Sequence, residues 1–358
     1  PVLNVRGGLT LDEAVEAPQR AVDRARADFG MVTVLDTTNG HIVAMAVAPS
    51  FNPNDVRKTD PALLGNRAVS NVFEPGSTQK VLTMAAVLEE GAATPTDKFV
   101  IPPTLRWKGV KTFHDHKPHG TLHLTLTGIL AQSSNIGTIK AATRIGPEKL
   151  YEYLQKFGFG SRIGSGLAGE SAGILPNIDG WSATSFPTIA FGQGVSVTQL
   201  QAAQVYQTIA NDGVRITPTV IAGTVDANGD FQPAPTQPQT RVVSAHTAKL
   251  VREMMESVVS EEGTAPGAAI PGYRVAGKTG TAQVDGALPH AWFIAFAPAD
   301  DPKIAVALIV ENGGWGATAA APIARKALDF WLLGKMPDAV PAAKPAETPA
   351  EAPEDANA

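Results

Sequence analysis

The sequence predicts an α/β fold of the α+β type, in which helices flank a central antiparallel sheet and a mostly helical lobe lies beside it. Two hairpin patterns, one near each end of the chain, and helical patterns between them carry this prediction. Hairpins so far apart in sequence can complete one sheet. We therefore expect one domain over residues 31–335, with the helical lobe at about residues 50–215 and a cleft between lobe and sheet.

The first predicted elements are a helix and a hairpin. Thr10–Asp12 has the composition of a helix cap before Glu13–Arg26, although Pro18 should kink that helix. Met31–Asp36 and His41–Ala48 are strand patterns on either side of a Thr-Asn-Gly turn, which is a strong hairpin signal. Residues 1–30 are therefore expected to lead into the domain, whose first sheet strands begin at residue 31.

The middle of the chain has helical patterns. A Pro-Gly turn precedes an apolar helix pattern over Ser77–Leu88, which Gly91 should end. Two more apolar runs, Leu122–Leu130 and Ile136–Ala142, flank a short polar segment. These runs supply the helices of the predicted lobe.

The C-terminal third returns to strands. Tyr273–Ala276 predicts an edge strand, and Ala291–Ala297 and Lys303–Val310 predict a second hairpin. The weak polar alternation of this hairpin is typical of strands buried on both faces. Ala319–Leu333 predicts a closing helix that ends at Gly334.

The last stretch, residues 336–358, has a different composition. Proline recurs at every fourth residue from Pro337 to Pro353 among Ala, Glu and Asp, and no aromatic residue occurs there. Such a segment cannot bury enough apolar surface to fold. We expect it to be a disordered tail.

Composition excludes several classes of function. The 358 residues contain no cysteine, which excludes a disulfide framework and a thiol nucleophile. The net charge of −5 and the absence of basic clusters give no indication of nucleic-acid binding. No run of 18 apolar residues occurs, so the sequence predicts no membrane-spanning helix.

Ser77 and Lys80 are the first candidate catalytic pair. On a helix they share one face, so the lysine could remove the proton that makes serine a poor nucleophile. Burial among the apolar residues of this helix would lower the lysine pKa as a base requires. The helix start also leaves backbone N–H groups free to stabilise an oxyanion. The alternative is a capping serine beside a solvated lysine.

Two more polar motifs follow in the chain, Ser133–Asn135 and Lys278–Gly280. Alone, the first is typical of a loop between helices, and the second of a lysine on an exposed strand. Together with the motif that begins at Ser77, spaced 56 residues (77 to 133) and 145 residues (133 to 278) apart, they match the pattern of penicillin-binding proteins and serine β-lactamases.

The chain resembles the transpeptidase domain of class B (monofunctional) penicillin-binding proteins from about Leu9 to Leu333. The flanking segments Phe73–Gly76 and Gly192–Gly194 match as well, as do Gly277 and Thr281 beside the lysine motif. The resemblance implies the penicillin-binding protein/serine β-lactamase-like fold. Residues 66–282 are most similar to the actinobacterial division-type enzyme and residues 288–334 to the elongation-type enzyme, so both roles stay open.

The resemblance implies roles for the remaining motif residues. Ser133 would pass a proton between Lys80 and a leaving amine, and Asn135 would hold the substrate amide. Lys278 and Thr279 would supply a cation and a hydroxyl for a terminal carboxylate. Gly280 would allow close approach of the substrate backbone. The backbone N–H groups of Ser77 and Thr281 would form the oxyanion hole.

The implied activity is that of a peptidoglycan D,D-transpeptidase, which cross-links stem peptides through a serine acyl-enzyme and is inhibited by β-lactams. Class B members carry an N-terminal membrane anchor and a pedestal domain, for which the residues before Asp12 are too few. We expect residues 1–30 to be a remnant of the pedestal junction. The parent protein would then be anchored at the extracytoplasmic face of the membrane, with a glycan polymerase and divisome or elongation proteins as partners.

Acyl transfer to water is the main alternative, as in a D,D-carboxypeptidase or a β-lactamase. Glu170 lies near the position of the deacylating glutamate of class A β-lactamases, but its Gly-rich surroundings differ from that pattern. A domain that senses penicillin without turnover, or a division scaffold, would use the same fold differently. The three complete motifs argue against a scaffold.

A histidine cluster raises the question of a metal site. It consists of His114, His116, His119 and His123 together with Asp115. The spacing is irregular, and Pro118 and Gly120 indicate a loop. We therefore predict no metal and no cofactor.

Overall fold

The computed structural model describes residues 27–52, 54–284 and 286–333. Within these ranges the strands are β1 (Phe29–Asp36), β2 (Ile42–Ala48), β3 (Lys98–Ile101), β4 (Leu105–Trp107), β5 (Lys111–Phe113), β6 (Leu122–Thr125), β7 (Val214–Ile216), β8 (Gly223–Val225), β9 (Phe231–Pro233), β10 (Gln239–Arg241), β11 (Ala276–Val284), β12 (Ala287–Ala297) and β13 (Ile304–Glu311). The α-helices are α1 (Arg67–Ser70), α2 (Lys80–Glu89), α3 (Leu126–Ala131), α4 (Asn135–Ala142), α5 (Gly146–Lys156), α6 (Ser185–Ala190), α7 (Gln199–Ala210), α8 (Ala245–Val259) and α9 (Ala321–Leu333).

A five-stranded antiparallel sheet joins the two ends of the described chain, in the order β11-β12-β13-β1-β2. Hairpins β1–β2 and β12–β13 are those that the sequence predicts, and both predictions are confirmed. Pairing of β1 with β13, which places Phe29 opposite Glu311 and Asp36 opposite Ile304, joins the two hairpins into one sheet. The predicted fold class is therefore confirmed.

Both faces of this sheet are covered. All eight residues of β13 are buried. Helix α7 packs against β1 and β13, and α9 packs against β12 and β13. Gln199 of α7 donates to the carbonyl oxygens of Met31 (2.8 Å) and Ala307 (3.0 Å), so its buried amide is hydrogen-bonded at the sheet. Burial on both faces explains why the β13 sequence lacks polar alternation.

The predicted starts of β11 and of the closing helix are shifted in the structure. The predicted strand over residues 273–276 begins only at Ala276 and continues to Val284, because Ile270 and Tyr273 close a tight turn around Gly272. The closing helix begins at Ala321 after a π-helical turn, Gly316–Ala320. The first shift matters for function, since it places the lysine motif inside an edge strand rather than after it.

Between β2 and β7 most of the regular secondary structure is helical. The apolar run that begins at Leu122 divides into β6, which pairs with β3, and α3. Thr125 makes this division, because its hydroxyl accepts a hydrogen bond from the N–H of Gly128 (3.0 Å) and so caps α3. The cap directs α3 toward the polar segment at residues 132–135.

Helix α8 lies between the helical segment and the sheet, and the sequence analysis does not predict it. It contacts β11 on one side and α2 and α3 on the other. Ser244 caps its first turn, and Glu89 at the end of α2 accepts hydrogen bonds from the Ser244 amide (3.0 Å) and hydroxyl (2.8 Å). By packing against all three elements, α8 sets their separation.

Some predictions concern residues outside the described ranges. They are the helix over Glu13–Arg26, its kink at Pro18, the helix end at Gly334 and the disordered tail at residues 336–358. In the described part of the chain, no helix has both the length and the apolar character needed to cross a membrane.

Candidate active site

Ser77 lies in a 3₁₀ turn, Gly76–Gln79, that leads directly into α2. The sequence analysis predicts an α-helix from Ser77, but α2 begins only at Lys80. The tighter turn arises because Gly76 adopts a positive φ of 52° and the Lys80 N–H bonds to the Ser77 carbonyl oxygen. Since a 3₁₀ helix has three residues per turn, Ser77 and Lys80 still lie on the same side.

The segment Gly192–Gly194 supports this turn from behind. The Gly76 N–H donates to the Gly192 carbonyl oxygen (3.0 Å). Gly192 has a φ of +96°, and a Cβ there would overlap the carbonyl oxygen of Gly76. Glu74 in turn accepts a hydrogen bond from the Gly194 N–H (2.7 Å). Only a glycine at position 192 permits this approach.

Lys80 is fully buried, and its amine points at the second motif. The Nζ atom donates to the carbonyl oxygen of Ser133 (2.6 Å) and to Asn135 Oδ1 (2.7 Å), and it lies 3.2 Å from Ser133 Oγ. Burial lowers the pKa of Lys80 to about 7, and the negative charge of Asp115 partly offsets that fall. Near neutral pH a large fraction of this amine is therefore unprotonated.

Ser133 has a left-handed backbone with a φ of 58°. Its N–H bonds to the Leu130 carbonyl oxygen (3.2 Å) and the Ser134 N–H to that of Ile129 (3.0 Å). This pair of bonds is a Schellman motif that ends α3, with Ser133 at the position that glycine usually occupies. A serine in this conformation is costly, and such strain is concentrated at functional sites.

The next two residues begin α4. The Ser134 hydroxyl caps this helix by accepting from the N–H of Gly137 (2.8 Å). Asn135 is the first helical residue; it accepts from Lys80 and donates from Nδ2 to the carbonyl oxygen of His114 (3.3 Å). The end of one helix and the start of the next therefore position the second motif.

Lys278 is fully buried on the edge strand β11. Its Nζ donates to Ser133 Oγ (2.9 Å) and to the carbonyl oxygen of Thr279 (3.1 Å). Burial, together with the positive charge of Lys80, holds the pKa of Lys278 well below its usual range. Ser133 Oγ thus bridges two amines, and its hydroxyl can accept from one while it donates to the other.

The other residues of the third motif differ in their surroundings. Thr279 Oγ1 lies 2.8 Å from Thr264 Oγ1, which holds its hydroxyl in place. A Cβ on Gly280 would lie 2.8 Å from Thr78 Cγ2, so the missing side chain lets β11 contact the nucleophile turn. Thr281 lies in β11 opposite Ala291, and its carbonyl oxygen adjoins Gly76. The backbones of Ser77 and Thr281 are therefore neighbours.

Glu170 has a local structural task. Its carboxylate accepts hydrogen bonds from the N–H groups of Gly164 (2.8 Å) and Ser165 (2.6 Å) and from the Ser165 hydroxyl. These bonds close the Gly-rich loop that surrounds it. Both carboxylate oxygens are hydrogen-bonded within this loop, which gives Glu170 a structural role there.

The histidine cluster is dispersed. His119 Nε2 lies 3.1 Å from Asp115 Oδ2, whereas the ring centroid of His116 lies 4.4 Å from that of Trp315, with the two rings tilted by 48°. Residues 27–52, 54–284 and 286–333 contain no group of His, Cys, Asp and Glu side chains arranged to hold a metal ion.

Two polar residues beside the site were not singled out from sequence. The sequence analysis names Asp115 only as part of the histidine cluster and does not name Thr264. No local pattern distinguishes either, since each reaches the site through the tertiary fold. The one available signal was the position of Asp115 shortly before the Ser133 motif.

Comparison with known proteins places this geometry in one family. The family model for the penicillin binding protein transpeptidase domain matches residues 30–329. The penicillin-binding protein PbpB of Mycobacterium tuberculosis is 40% identical over 85% of this chain and 48% of its own length. PbpB of Mycolicibacterium smegmatis is 38% identical over 91% of this chain and 54% of its own length. The chain thus spans about half the length of these curated relatives.

Solved structures agree with the sequence relatives. Penicillin binding protein 3 from Mycobacterium tuberculosis, in complex with aztreonam, matches with a TM-score of 0.84 and 38% identity, over 90% of this chain and 76% of that one. The same protein has been solved with ampicillin and in the apo form. A peptidoglycan synthetase from Bifidobacterium adolescentis matches with a TM-score of 0.81 and 32% identity, over 94% of this chain and 61% of that one.

Proposed function

The chain belongs to the transpeptidase domain family of class B penicillin-binding proteins, and from that premise we propose that it is a peptidoglycan D,D-transpeptidase with Ser77 as its nucleophile. The observation that carries the proposal is the shared position of Ser133 Oγ, within 3.2 Å of Lys80 Nζ and 2.9 Å of Lys278 Nζ. In this arrangement Lys80 is the base, Ser133 is the proton relay and Lys278 is the amine that binds the substrate carboxylate.

Acylation begins with proton transfer from Ser77 to Lys80. A lysine pKa near 7 leaves the amine unprotonated often enough to act as a base at neutral pH. Ser77 Oγ then attacks the carbonyl carbon of the D-alanyl-D-alanine bond in a stem peptide. The backbone N–H groups of Ser77 and Thr281 stabilise the oxyanion of the tetrahedral intermediate.

Collapse of that intermediate breaks the C–N bond and needs a proton for the leaving D-alanine. Lys80 passes the proton that it took from Ser77 to the leaving amine through the Ser133 hydroxyl, which contacts the amines of Lys80 and Lys278. Lys278 and Thr279 hold the terminal carboxylate, and Thr264 orients the Thr279 hydroxyl. The carboxylate also raises the pKa of Lys278, because an anion favours the protonated form. The positive charge of the site then stays on Lys278, and Lys80 stays neutral.

The second half-reaction consumes the acyl-enzyme. An amine of a neighbouring stem peptide attacks the ester carbonyl, forms the cross-link and releases Ser77. Strand β11 is an edge of the five-stranded sheet, so an extended stem peptide can bind along it as an added strand. Gly280 contacts the nucleophile turn. We propose that it also lets the substrate backbone approach β11 closely.

The wider setting concerns the full-length protein. We place its action outside the cytoplasmic membrane, where peptidoglycan is built, with β-lactams as covalent inhibitors. A membrane anchor, a glycan polymerase partner and a place among division proteins complete the proposal. Similarity to the mycobacterial PbpB proteins favours the division-type role over the elongation-type role.

Ampicillin labelling followed by intact mass spectrometry tests the proposed function. The wild-type chain should gain the mass of one ampicillin, since the β-lactam ring opens without losing an atom. Ser77→Ala should gain none, and Ser182→Ala, an exposed serine in a loop, should label as wild type. Labelling of the Ser77 variant at the wild-type rate would refute the nucleophile.

A synthetic stem peptide ending in D-alanyl-D-alanine separates transfer from hydrolysis. With a D-amino acid added as acceptor, a transpeptidase exchanges the terminal residue faster than it hydrolyses the peptide. Hydrolysis alone would indicate a carboxypeptidase, and repeated ampicillin turnover would indicate a β-lactamase. The Glu170 carboxylate is hydrogen-bonded within its own loop, and this structural role favours a long-lived ampicillin adduct on Ser77.

A further inference from the structure

We propose that Asp115 is a positioning residue of this site, whose carboxylate holds the Ser133–Asn135 turn and whose negative charge acts on the buried amine of Lys80. The inference deepens the proposed function and rests on it. Asp115 lies in the segment between β5 and β6, outside the three motifs.

The hydrogen bonds of Asp115 lead to the start of α4. One oxygen accepts from the Ser134 hydroxyl (2.6 Å), and the other accepts from the N–H of Ile136 (2.9 Å). His119 Nε2 lies 3.1 Å from the first oxygen. The side chain is only 9% exposed, so this carboxylate is a fixed part of the site rather than a solvated surface group.

These bonds bracket the catalytic motif. Ser134 and Ile136 lie on either side of Asn135, whose Oδ1 accepts from Lys80. Ser134 also follows Ser133, the strained residue of the Schellman motif. Because a left-handed serine is unfavourable, the surrounding contacts must hold it. Asp115 supplies two of those contacts, and the neighbouring His114 carbonyl oxygen supplies a third to Asn135 (3.3 Å).

Charge gives Asp115 a second effect on the base. Among the described residues, the titratable groups around Lys80 include Lys278 on β11 and Asp115 on the segment before β6, with His119 beside Asp115. Burial favours the neutral form of Lys80, and Asp115 favours the protonated form. Without this carboxylate the pKa of Lys80 would fall further. The amine would then be a weaker base, already neutral at lower pH.

The test is the pH dependence of ampicillin acylation, measured on the full chain by quenched intact-mass time courses. For wild type we expect the rate to rise with pH around 7. Asp115→Asn keeps the shape of the side chain and removes the charge. Its midpoint should move to lower pH, and its plateau rate should fall on the order of 10- to 100-fold as the motif loses its alignment.

Asp97→Asn is the matched control. Asp97 is also a hydrogen-bonded carboxylate of the helical segment, paired with Arg144 (3.0 Å), and it belongs to no part of the proposed machinery. This variant loses the same charge and should keep the wild-type midpoint and plateau. An Asp115→Asn profile that matches this control would overturn the proposal. So would a lower plateau at an unchanged midpoint, because that result would leave Asp115 a purely structural residue.

His119→Gln keeps the proposal testable if Asp115→Asn does not fold. The bond to the Gly120 carbonyl oxygen and the contact with Asp115 raise the pKa of His119, which favours its protonated form, and a protonated ring offsets the negative charge of Asp115. Removing it should move the acylation midpoint to higher pH, opposite to the shift in Asp115→Asn. An unchanged midpoint would refute the electrostatic role. If wild type forms no ampicillin adduct at all, the proposed function fails instead.

Discussion

Replacing Ser133 by glycine and by alanine should separate backbone strain from chemistry at this site. Ser133 has a φ of 58°, a region that costs an L-residue roughly 1–2 kcal/mol and glycine almost nothing. Ser133→Gly relieves that cost, whereas Ser133→Ala retains it. Both variants remove the hydroxyl that Lys278 and Lys80 contact, so the loss of those contacts cancels in the comparison.

The expected difference follows from two opposing terms. Relief of the left-handed strain raises the free energy of unfolding of the glycine variant. The greater entropy of its unfolded chain lowers that free energy by about 0.4–1 kcal/mol. We therefore expect the free energy of unfolding of Ser133→Gly to be higher than that of Ser133→Ala by about 1 kcal/mol. Urea unfolding followed by tryptophan fluorescence measures this difference directly.

Activity should not follow stability. Both variants lose the proton relay, and a group of this kind typically contributes 10²- to 10⁴-fold in rate. Ampicillin acylation should therefore fall by about that factor in both. The more stable variant would then be an inactive one, which is the expected cost of a strained catalytic residue.

Ser257 in α8 provides the matched control. It is a half-buried serine in a right-handed helix, where glycine is about 1 kcal/mol less favourable than alanine. The order of stabilities should therefore reverse at this position. If Ser133→Gly proves no more stable than Ser133→Ala while the Ser257 pair behaves as expected, the inferred strain at Ser133 is wrong.

Three more perturbations test neighbouring parts of the site. Lys80→Arg should lose pH-dependent ampicillin acylation, because a guanidinium stays protonated and cannot take the serine proton; a stopped-flow rate equal to wild type would exclude Lys80 as the base. Glu170→Gln should leave the lifetime of the ampicillin adduct unchanged. It should lower the free energy of unfolding by about 1–3 kcal/mol, because it weakens the hydrogen bonds of its loop. Rapid loss of the adduct in wild type but not in this variant, followed by intact mass spectrometry, would instead indicate a hydrolase. Gly192→Ala should slow acylation and lower the melting temperature, because its Cβ would displace the Gly76 carbonyl oxygen, whereas Gly267→Ala meets open space and should do neither.

Local patterns were sufficient to predict both hairpins and the fold class. The turn residues and apolar strands lie next to each other in sequence, so short-range physics decides them. The start of β11 was harder to predict, because it depends on the turn that Gly272 makes with its positive φ. Helix α8 was missed although its capping serine, Ser244, was visible, since nothing nearby indicates that this helix separates β11 from α2.

The candidate site divides in the same way. Sequence spacing alone put Ser77 and Lys80 one turn apart, and the structure keeps them on one side of a 3₁₀ turn. The juxtaposition of Lys80, Ser133 and Lys278 depends on packing between α2, the α3–α4 turn and β11. The strain at Ser133 and the contacts of Asp115 were not predictable. A serine or an aspartate in a polar segment usually makes only local hydrogen bonds, and nothing in the sequence marks these two as exceptions.

The proton balance of the site links its architecture to its substrate. Two fully buried amines cannot both stay charged at low cost, and Ser133 Oγ lies between them. Asp115 favours a proton on Lys80, whereas burial and the charge of Lys80 both disfavour one on Lys278, so before substrate binds a proton held by this pair of amines lies mainly on Lys80. A carboxylate that binds at Lys278 attracts that proton, and Lys80 becomes neutral at the moment when Ser77 faces a carbonyl. The carboxylate that identifies the substrate would thus also prepare the base, and ligands without a carboxylate would meet an enzyme in which a larger fraction of Lys80 is protonated.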